Sequence, residues 1–89
     1  MPYIKKEKRT PIDAQINVLE HLVTNEGDLN YTITCLCLAY IEQNGKKYST
    51  INSAMGALEC AKLEMYRRLA APYEDLKAKE NGDLIGYEN

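Results

Sequence analysis

The sequence has no tryptophan and no phenylalanine, and all seven of its aromatic residues are tyrosines. It has one histidine, His21, with five glycines and three prolines in 89 residues. No glycine-rich loop for binding phosphate is present, and His21 has no obvious cysteine or serine nucleophile as a partner. Because the tyrosine hydroxyl needs a hydrogen-bond partner when buried, tyrosines are common at contact surfaces and wet pockets. The composition therefore lacks familiar catalytic signatures and favours a protein that makes contacts.

Long apolar runs are also absent, since no stretch approaches the roughly 20 residues of a transmembrane helix, and no signal peptide is visible. The three cysteines are an odd number without framework spacing, which is typical of reduced thiols in a cytoplasm. Cys35 and Cys37 lie on one predicted helix with sulfurs about 200° apart, so the pair cannot chelate zinc. We expect a cytoplasmic protein without membrane contact, bound metal or cofactor.

The sequence has no excess of positive charge. It contains eleven lysines and arginines and thirteen acidic residues, so the net charge is −2. Binding of DNA or RNA needs clustered lysine and arginine, so we do not expect nucleic acid as a partner. The basic cluster near the start of the chain lies within residues 1–9, which we predict to be a solvated N-terminal arm. Its members are Lys5, Lys6, Lys8 and Arg9.

The length predicts a single domain over residues 1–89, and the apolar spacing predicts helices alone. Thr10 as N-cap, followed by Pro11, predicts the start of a first helix that ends at Gly27. Asp28 or Asn30 is predicted to cap a second helix that stops at Asn44-Gly45. Its apolar residues cover so much of its circumference that we expect cover on two sides. They are Leu29, Ile33, Leu36 and Tyr40 in one stripe, widened by Cys37, Leu38 and Ile41.

The longest helix is predicted to start after a cap at Ser49-Thr50 and to run to Ala71. Pro72 has no amide to donate, so it must either kink this helix or separate it from a short C-terminal helix, which we predict to close with a turn at Asn81-Gly82-Asp83. Residues 84–89 are predicted to be a flexible tail. The fold prediction is therefore all-α, a small bundle of three main helices plus a short C-terminal helix after Pro72. The core-facing stripe of the longest helix is Ile51, Ala54, Leu58, Ala61, Met65 and Leu69.

The opposite side of the longest helix carries Gly56, Cys60 and Leu63, with Arg67 beside them. A surface helix of a monomer should be polar there. Glycine within a helix costs about 1 kcal/mol relative to alanine, so close approach of a neighbouring backbone is a reason for Gly56. We predict that this face is an oligomer interface; the alternative is that the helix is central to the bundle.

A polar strip beside the core stripe is the candidate ligand site of the longest helix. Its tyrosines can stack on a planar ligand, and its cations can neutralise an anionic group such as phosphate. The alternative is an amphipathic boundary with a loose Glu59–Lys62 pair that contributes a few tenths of a kcal/mol. The strip consists of Asn52, Glu59, Lys62 and Tyr66, with Tyr73 as an extension if the helix axis continues past Pro72. Arg67, on the neighbouring face, is a further candidate ligand-binding residue.

Arg67 and Arg68 point about 100° apart on a helix, so a single site can use only one of them without a bend. Carboxylates are numerous enough on this helix to suggest a magnesium-dependent nucleotide hydrolase. The all-α enzymes of that kind use carboxylates three residues apart. Here Lys62 follows Glu59 at that spacing, and Arg67 follows Glu64. We therefore assign no catalytic residue, and enzymatic activity is the minority hypothesis.

The chain contains five distinctive segments, which are MPYIK at 1–5, GDLNY at 27–31, LECAKLEMYRR at 58–68, APYED at 71–75 and ENGD at 80–83. They resemble a family of short proteins of unknown function found in bacteria and their tailed phages. The resemblance covers nearly the whole chain, as far as the region of Leu84. It implies that one shared unit contains Tyr66, Arg67, Tyr73, Glu74 and Asp75. Family members tend to carry Arg where this chain has Cys35, and Phe where it has Met65.

These expectations combine into one functional hypothesis with two alternatives. The hypothesis is an oligomeric, non-enzymatic binding protein, phage-encoded by resemblance, that sequesters an anionic nucleotide-like ligand or signal near subunit contacts. The first alternative is a protein-interaction module that inhibits a host protein, and the second is a metal-dependent nucleotide hydrolase. The phage setting favours sequestration by analogy with other small phage proteins, which is an argument from association.

Overall fold

A computed structural model describes residues 1–88 of the chain, and this range contains helices and no strand. The all-α prediction is confirmed. The last residue of the predicted 84–89 tail lies outside the described residues. The elements are α1 (Lys6–Leu19), α2 (Glu26–Asn44), α3 (Tyr48–Met65), a π-helical turn (Tyr66–Ala70), α4 (Ala71–Asn81) and a 3₁₀ turn (Ile85–Tyr87).

The first helix starts four residues before the predicted cap at Thr10. The amides of Lys8 and Arg9 donate to the carbonyl of Lys5 at 3.0 and 3.1 Å, which fixes the first turn. The Thr10 hydroxyl donates to the carbonyl of Lys6 at 3.1 Å, as a side chain within a helix does. Pro11 is consequently inside α1, and part of the predicted basic arm forms its first turn.

The second helix also starts earlier than predicted, with Asn25 as its cap. The side chain of Asn25 accepts the amide of Asp28 at 2.8 Å, and its carbonyl accepts the amide of Leu29 at 3.0 Å. The Asp28 carboxylate reaches back to the amide and hydroxyl of Thr24, both at 3.2 Å. The side chains of Asn25 and Asp28 thus accept hydrogen bonds from backbone amides at the start of α2. Asp28 is therefore the third helical residue, and Gly27 lies inside α2 instead of ending α1.

Two helices end at glycines in the left-handed region of backbone space, as the sequence predicts. Gly45, with a φ of 93°, follows the last residue of α2, and Gly82, with a φ of 81°, follows the last residue of α4. Glycine adopts this conformation without the steric cost of a Cβ atom, which makes it the common residue after a helix end.

Pro72 neither ends the third helix nor separates a fourth, because α3, the π turn and α4 follow one another without a break. The amide of Ala71 donates to the carbonyl of Tyr66, five residues back. In a regular α-helix the proline ring would collide with the carbonyl of Arg68, and that carbonyl would lose its amide partner. The wider π turn accommodates the proline just before it begins α4. The predicted short C-terminal helix is thus joined to the third helix.

The chain divides into two compact units, residues 1–43 and a second unit that begins at Asn44. Within the first unit, no Cα atom of α1 comes within 8 Å of a Cα atom of α2. The second unit consists of the long helix and the 3₁₀ turn. Among the described residues, only Ala54, at 7% exposure, and Thr50, at 6%, are buried. Whether the chain acts as one domain stays a prediction.

The core stripe predicted for the longest helix is therefore mostly open within its own unit. Ala54 is its one buried member, while Met65 and Leu69 are exposed. Thr50, predicted as a cap, is inside α3, and its hydroxyl donates to the carbonyl of Asn44 at 3.4 Å. The helices follow the sequence pattern, but neither unit closes a hydrophobic core by itself.

Candidate functional site

A hydrogen bond across the π turn is the centre of the candidate site. Tyr66 opens the π turn, and its hydroxyl donates to the carboxylate of Glu74 in the first turn of α4. This bond, followed by the negative charge of Glu74, raises the pKa of Tyr66 above its ordinary value. The hydroxyl must keep its proton to donate, so the bond favours the neutral form. The Tyr66 side chain is 52% exposed, so its ring is held at the hydroxyl and open to solvent.

The π turn explains why these two side chains meet although they are eight residues apart. In a regular α-helix, eight residues rotate by about 800°, which leaves the two side chains about 80° apart. A π turn contains one additional residue, so the rotation equals about seven α-helical steps and the separation falls to about 20°. Glu74 consequently continues the polar strip beyond Tyr66, in the place where the sequence predicted Tyr73.

By the same calculation of rotation around the helix, the Tyr73 side chain lies on a different side of α4 from the Glu74 side chain. The Lys77 ammonium nitrogen is 5.6 Å from the centre of the Tyr73 ring, a cation–π contact. Lys77 also forms an ion pair with Glu80 at 3.2 Å. The described contacts of Tyr73 are therefore local to α4, and its role in ligand binding stays a prediction.

The candidate cations, Lys62 on the strip and Arg67 beside it, are paired with carboxylates one helical turn earlier. The Lys62 ammonium is 3.2 Å from Glu59. Glu64 lies 3.3 Å from the guanidinium of Arg68 and 4.0 Å from that of Arg67. The Lys62 side chain is 69% exposed and that of Arg67 is 74% exposed. Such exposed pairs contribute about 0–1 kcal/mol, so an incoming anion can compete with the carboxylates.

The two arginines reach one carboxylate because they follow Glu64 by three and four residues. Both positions flank a side chain one turn earlier on the same helix face. Glu64 therefore pairs with Arg68, and Arg67 makes a second and longer contact with it. Arg67 is the more weakly held of the two, which leaves it the better candidate for binding an anion.

The remaining members of the strip lie on α3. Asn52 and Glu59 are both exposed, and seven residues, or about two helical turns, separate them. The strip thus runs from the first turns of α3, across the π turn, to α4. Its described members in order are Asn52, Glu59, Lys62, Tyr66 and Glu74. The helical period does not place Glu74 on the strip, because a π turn has no reliable sequence pattern, although a proline inside a helical run signals an irregularity. The family resemblance is the sequence signal that includes Glu74.

The predicted oligomer face of α3 is open within the chain. A methyl group added at Gly56 would have no atom within 4 Å, when the adjacent residues and the backbone of the same helix are left out. The Leu63 side chain is 55% exposed, and Cys60 is an exposed free thiol. No neighbouring backbone of the described residues therefore explains the glycine, and the contact with a second copy stays a prediction.

A concave surface lies on α2, where the sequence predicts no site. It is a shallow depression of about 560 Å³ lined by Glu26, Gly27, Asn30, Tyr31 and Thr34. A hydrogen bond with the Cys35 thiol raises the pKa of Tyr31 above its ordinary value. Part of this surface belongs to the GDLNY segment at 27–31, which was the available sequence signal.

The described residues show neither a cluster of metal ligands nor a helix able to span a membrane. Within residues 1–88, no group of three or more histidine, cysteine, aspartate or glutamate side chains is arranged to hold a metal ion. Over the same range, no helix combines the length and the apolar character that are needed to cross a bilayer.

Comparison with known proteins adds a family and no function. Comparisons with curated proteins and with solved structures gave no match. Residues 1–84 match a family described as Domain of unknown function (DUF6899). The match spans all but the last five of the 89 residues, and the chain therefore belongs to the DUF6899 family.

Proposed function

We propose that this protein is an oligomeric, non-catalytic binding protein that holds an anionic, planar ligand of nucleotide type on the polar strip of its third helix. In the proposal, the Tyr66 ring stacks on the ligand. Lys62 and Arg67 neutralise its negative charge, and Asn52 or Glu59 exchanges hydrogen bonds with it. The observation that carries the proposal is the Tyr66–Glu74 hydrogen bond across the π turn.

This bond supports a binding role because it restrains an aromatic ring that remains half exposed. A stacking ring loses less conformational entropy on binding when its orientation is fixed beforehand. Stacking of a base on an aromatic side chain contributes about 1–3 kcal/mol in single-stranded nucleic-acid complexes. π turns inside α-helices are also frequent at functional sites.

The charges around the ring support an anionic ligand. Lys62 precedes Tyr66 by one helical turn on the same strip. Arg67 follows Tyr66 directly and starts about 100° around the helix, so its long side chain would reach the ligand from the side. Both side chains are well exposed and are held by weak carboxylate pairs. A phosphate could replace those pairs with charge-assisted hydrogen bonds to the guanidinium group, which are stronger than neutral ones.

A thermal-shift panel of mono- and cyclic nucleotides tests the proposal. A ligand at about a hundredfold excess over its Kd stabilises the folded protein by about 2.7 kcal/mol. For a domain of this size, that corresponds to a rise in Tm of about 10–20 °C. Tyr66→Ala and Arg67→Ala should abolish the shift. Arg68→Ala is the matched control, because Arg68 is the more closely paired of the two arginines. If no compound in the panel shifts the Tm of well-folded protein, the ligand proposal is wrong.

A second candidate function is a protein-interaction module, and the open apolar face of α3 favours it. In this version, Gly56, Cys60 and Leu63 contact a protein of the bacterial or phage-infected cell in place of a second copy. Pull-down from cytoplasmic extract should then recover one stoichiometric partner. Leu63→Asp should abolish the capture and Arg67→Ala should leave it unchanged. The reverse pattern would support the ligand site instead.

A further inference from the structure

The middle of α2 carries no charge although it lies at the surface of its unit. No charged residue occurs between Leu29 and Ile41, and none of the α2 residues is buried. Leu36, for example, is 61% exposed. A helix that is apolar over most of its circumference is normally covered in a folded protein. Because α1 makes no close approach to α2 within the first unit, this helix has a surface that needs a partner.

The large apolar residues on one side of α2 have the spacing of a coiled-coil seam. Leu29, Ile33, Leu36 and Tyr40 are separated by four, three and four residues. This alternation keeps them on one side of a helix that pairs with another helix. β-branched isoleucine in one layer and leucine in the next is the combination that favours two-stranded pairing. We call these four residues the α2 seam.

The positions beside the α2 seam indicate which partner it fits. They are Asn30, Thr32, Cys37 and Ala39, and all four are small or uncharged. In helix pairs, charges at these flanking positions normally select the partner by attraction or repulsion. A second copy of the same seam therefore meets no like charge here. A partner that relied on charge pairing would find no counter-charge.

From these features we propose that the α2 seam packs against the α2 seam of a second copy of this chain. The inference rests on the oligomer of the proposed function and adds a second self-contact, on a different unit from Leu63. A chain with two separate self-contacts can assemble beyond a dimer.

Charge introduced into the α2 seam tests the proposal in the full-length protein. In Leu36→Glu, both copies would carry a carboxylate at the contact, and the assembly mass from sedimentation velocity should fall at least twofold. Thr34→Glu is the matched control, because it adds the same charge to the same helix outside the seam and should leave the mass unchanged. Equal masses for Leu36→Glu and the wild type, or a monomeric wild type, would overturn the proposal.

Cross-linking gives an answer even if Leu36→Glu does not fold. Leu36→Cys and Thr34→Cys are each made with the three native cysteines replaced by serine, and each is treated with a short bismaleimide. Leu36→Cys should give a covalent dimer and Thr34→Cys should not. The absence of a dimer from Leu36→Cys, or equal yields from the two variants, contradicts the pairing. A mass that falls with Leu63→Asp, combined with no cross-link at position 36, would retain the α3 contact and reject the α2 contact.

Discussion

Replacing Pro72 with alanine should remove the cause of the π turn. Alanine has an amide that can donate to the carbonyl of Arg68, and it has no ring to collide with that carbonyl. Alanine is also favoured over proline inside a helix by about 3 kcal/mol. In Pro72→Ala, we therefore expect a regular α-helix from α3 into α4.

The structural effect of this substitution can be calculated from helix geometry. Loss of one residue from the turn rotates α4 by about 100° relative to α3. Tyr66 and Glu74 would then lie about 80° apart instead of about 20°, and their hydrogen bond should break. Because this bond is the largest cause of the raised pKa of Tyr66, that pKa should fall toward the ordinary tyrosine value.

NMR titration of tyrosine labelled at Cζ measures the pKa directly, with Tyr66→Phe to assign the Tyr66 signal. We expect Tyr66 to lose its proton at a lower pH in Pro72→Ala than in the wild type. Pro11→Ala is the matched control, because Pro11 is also inside a helix but belongs to the other unit. A Tyr66 pKa that stays equally high in Pro72→Ala would refute the link between the proline, the π turn and the Tyr66–Glu74 bond.

Three further predictions concern stability and assembly. Since the folded-state pKa of Tyr66 is raised above 10.0, its bond stabilises the fold fully below the unfolded-state value, and this contribution disappears as the pH rises through the folded-state pKa. Tm curves of the wild type and Tyr66→Phe should therefore converge at high pH; curves that stay parallel there would contradict this. Asn25→Ala should lower the free energy of unfolding by about 1 kcal/mol in urea titrations through loss of the α2 cap, and a loss as large for Asn30→Ala would argue against Asn25 as the cap. Gly56→Ala has free space within the chain but should shift assembly toward smaller species on dilution, because the methyl group meets the second copy; unchanged dissociation would show that Gly56 is not at a close contact.

The ends of the helices show what the sequence alone can determine. Gly45 and Gly82 end α2 and α4 as predicted because their missing Cβ permits positive φ, a property of the residue itself. The start of α2 lies earlier than the sequence predicts, because several polar residues in a row can act as caps. The choice of Asn25 depends on hydrogen bonds that form only in the folded turn. The start of α1 also lies earlier than the sequence predicts. Pro11 inside the helix has a free-energy cost but is not forbidden.

The candidate site was predictable only on the α3 side of the π turn. Glu59, Lys62 and Tyr66 share one strip because they follow the regular period of α3. Beyond Tyr66 the period changes by one residue, so the strip continues with Glu74 and not with Tyr73. A fixed angle per residue cannot anticipate such a change. The same limit applies to the apolar stripes, because periodicity identifies an apolar face but does not say whether the chain or a second copy covers it.

Native mass spectrometry of freshly purified protein tests most directly whether a second copy covers the apolar face of the third helix. We predict an assembly of several chains at micromolar concentration. The wild type should retain a small anionic molecule, and Tyr66→Ala should lose it. A single chain of 10.1 kDa at high concentration, with Cys60 unreactive toward thiol reagents, would contradict it. That result would mean that the chain covers this face by itself.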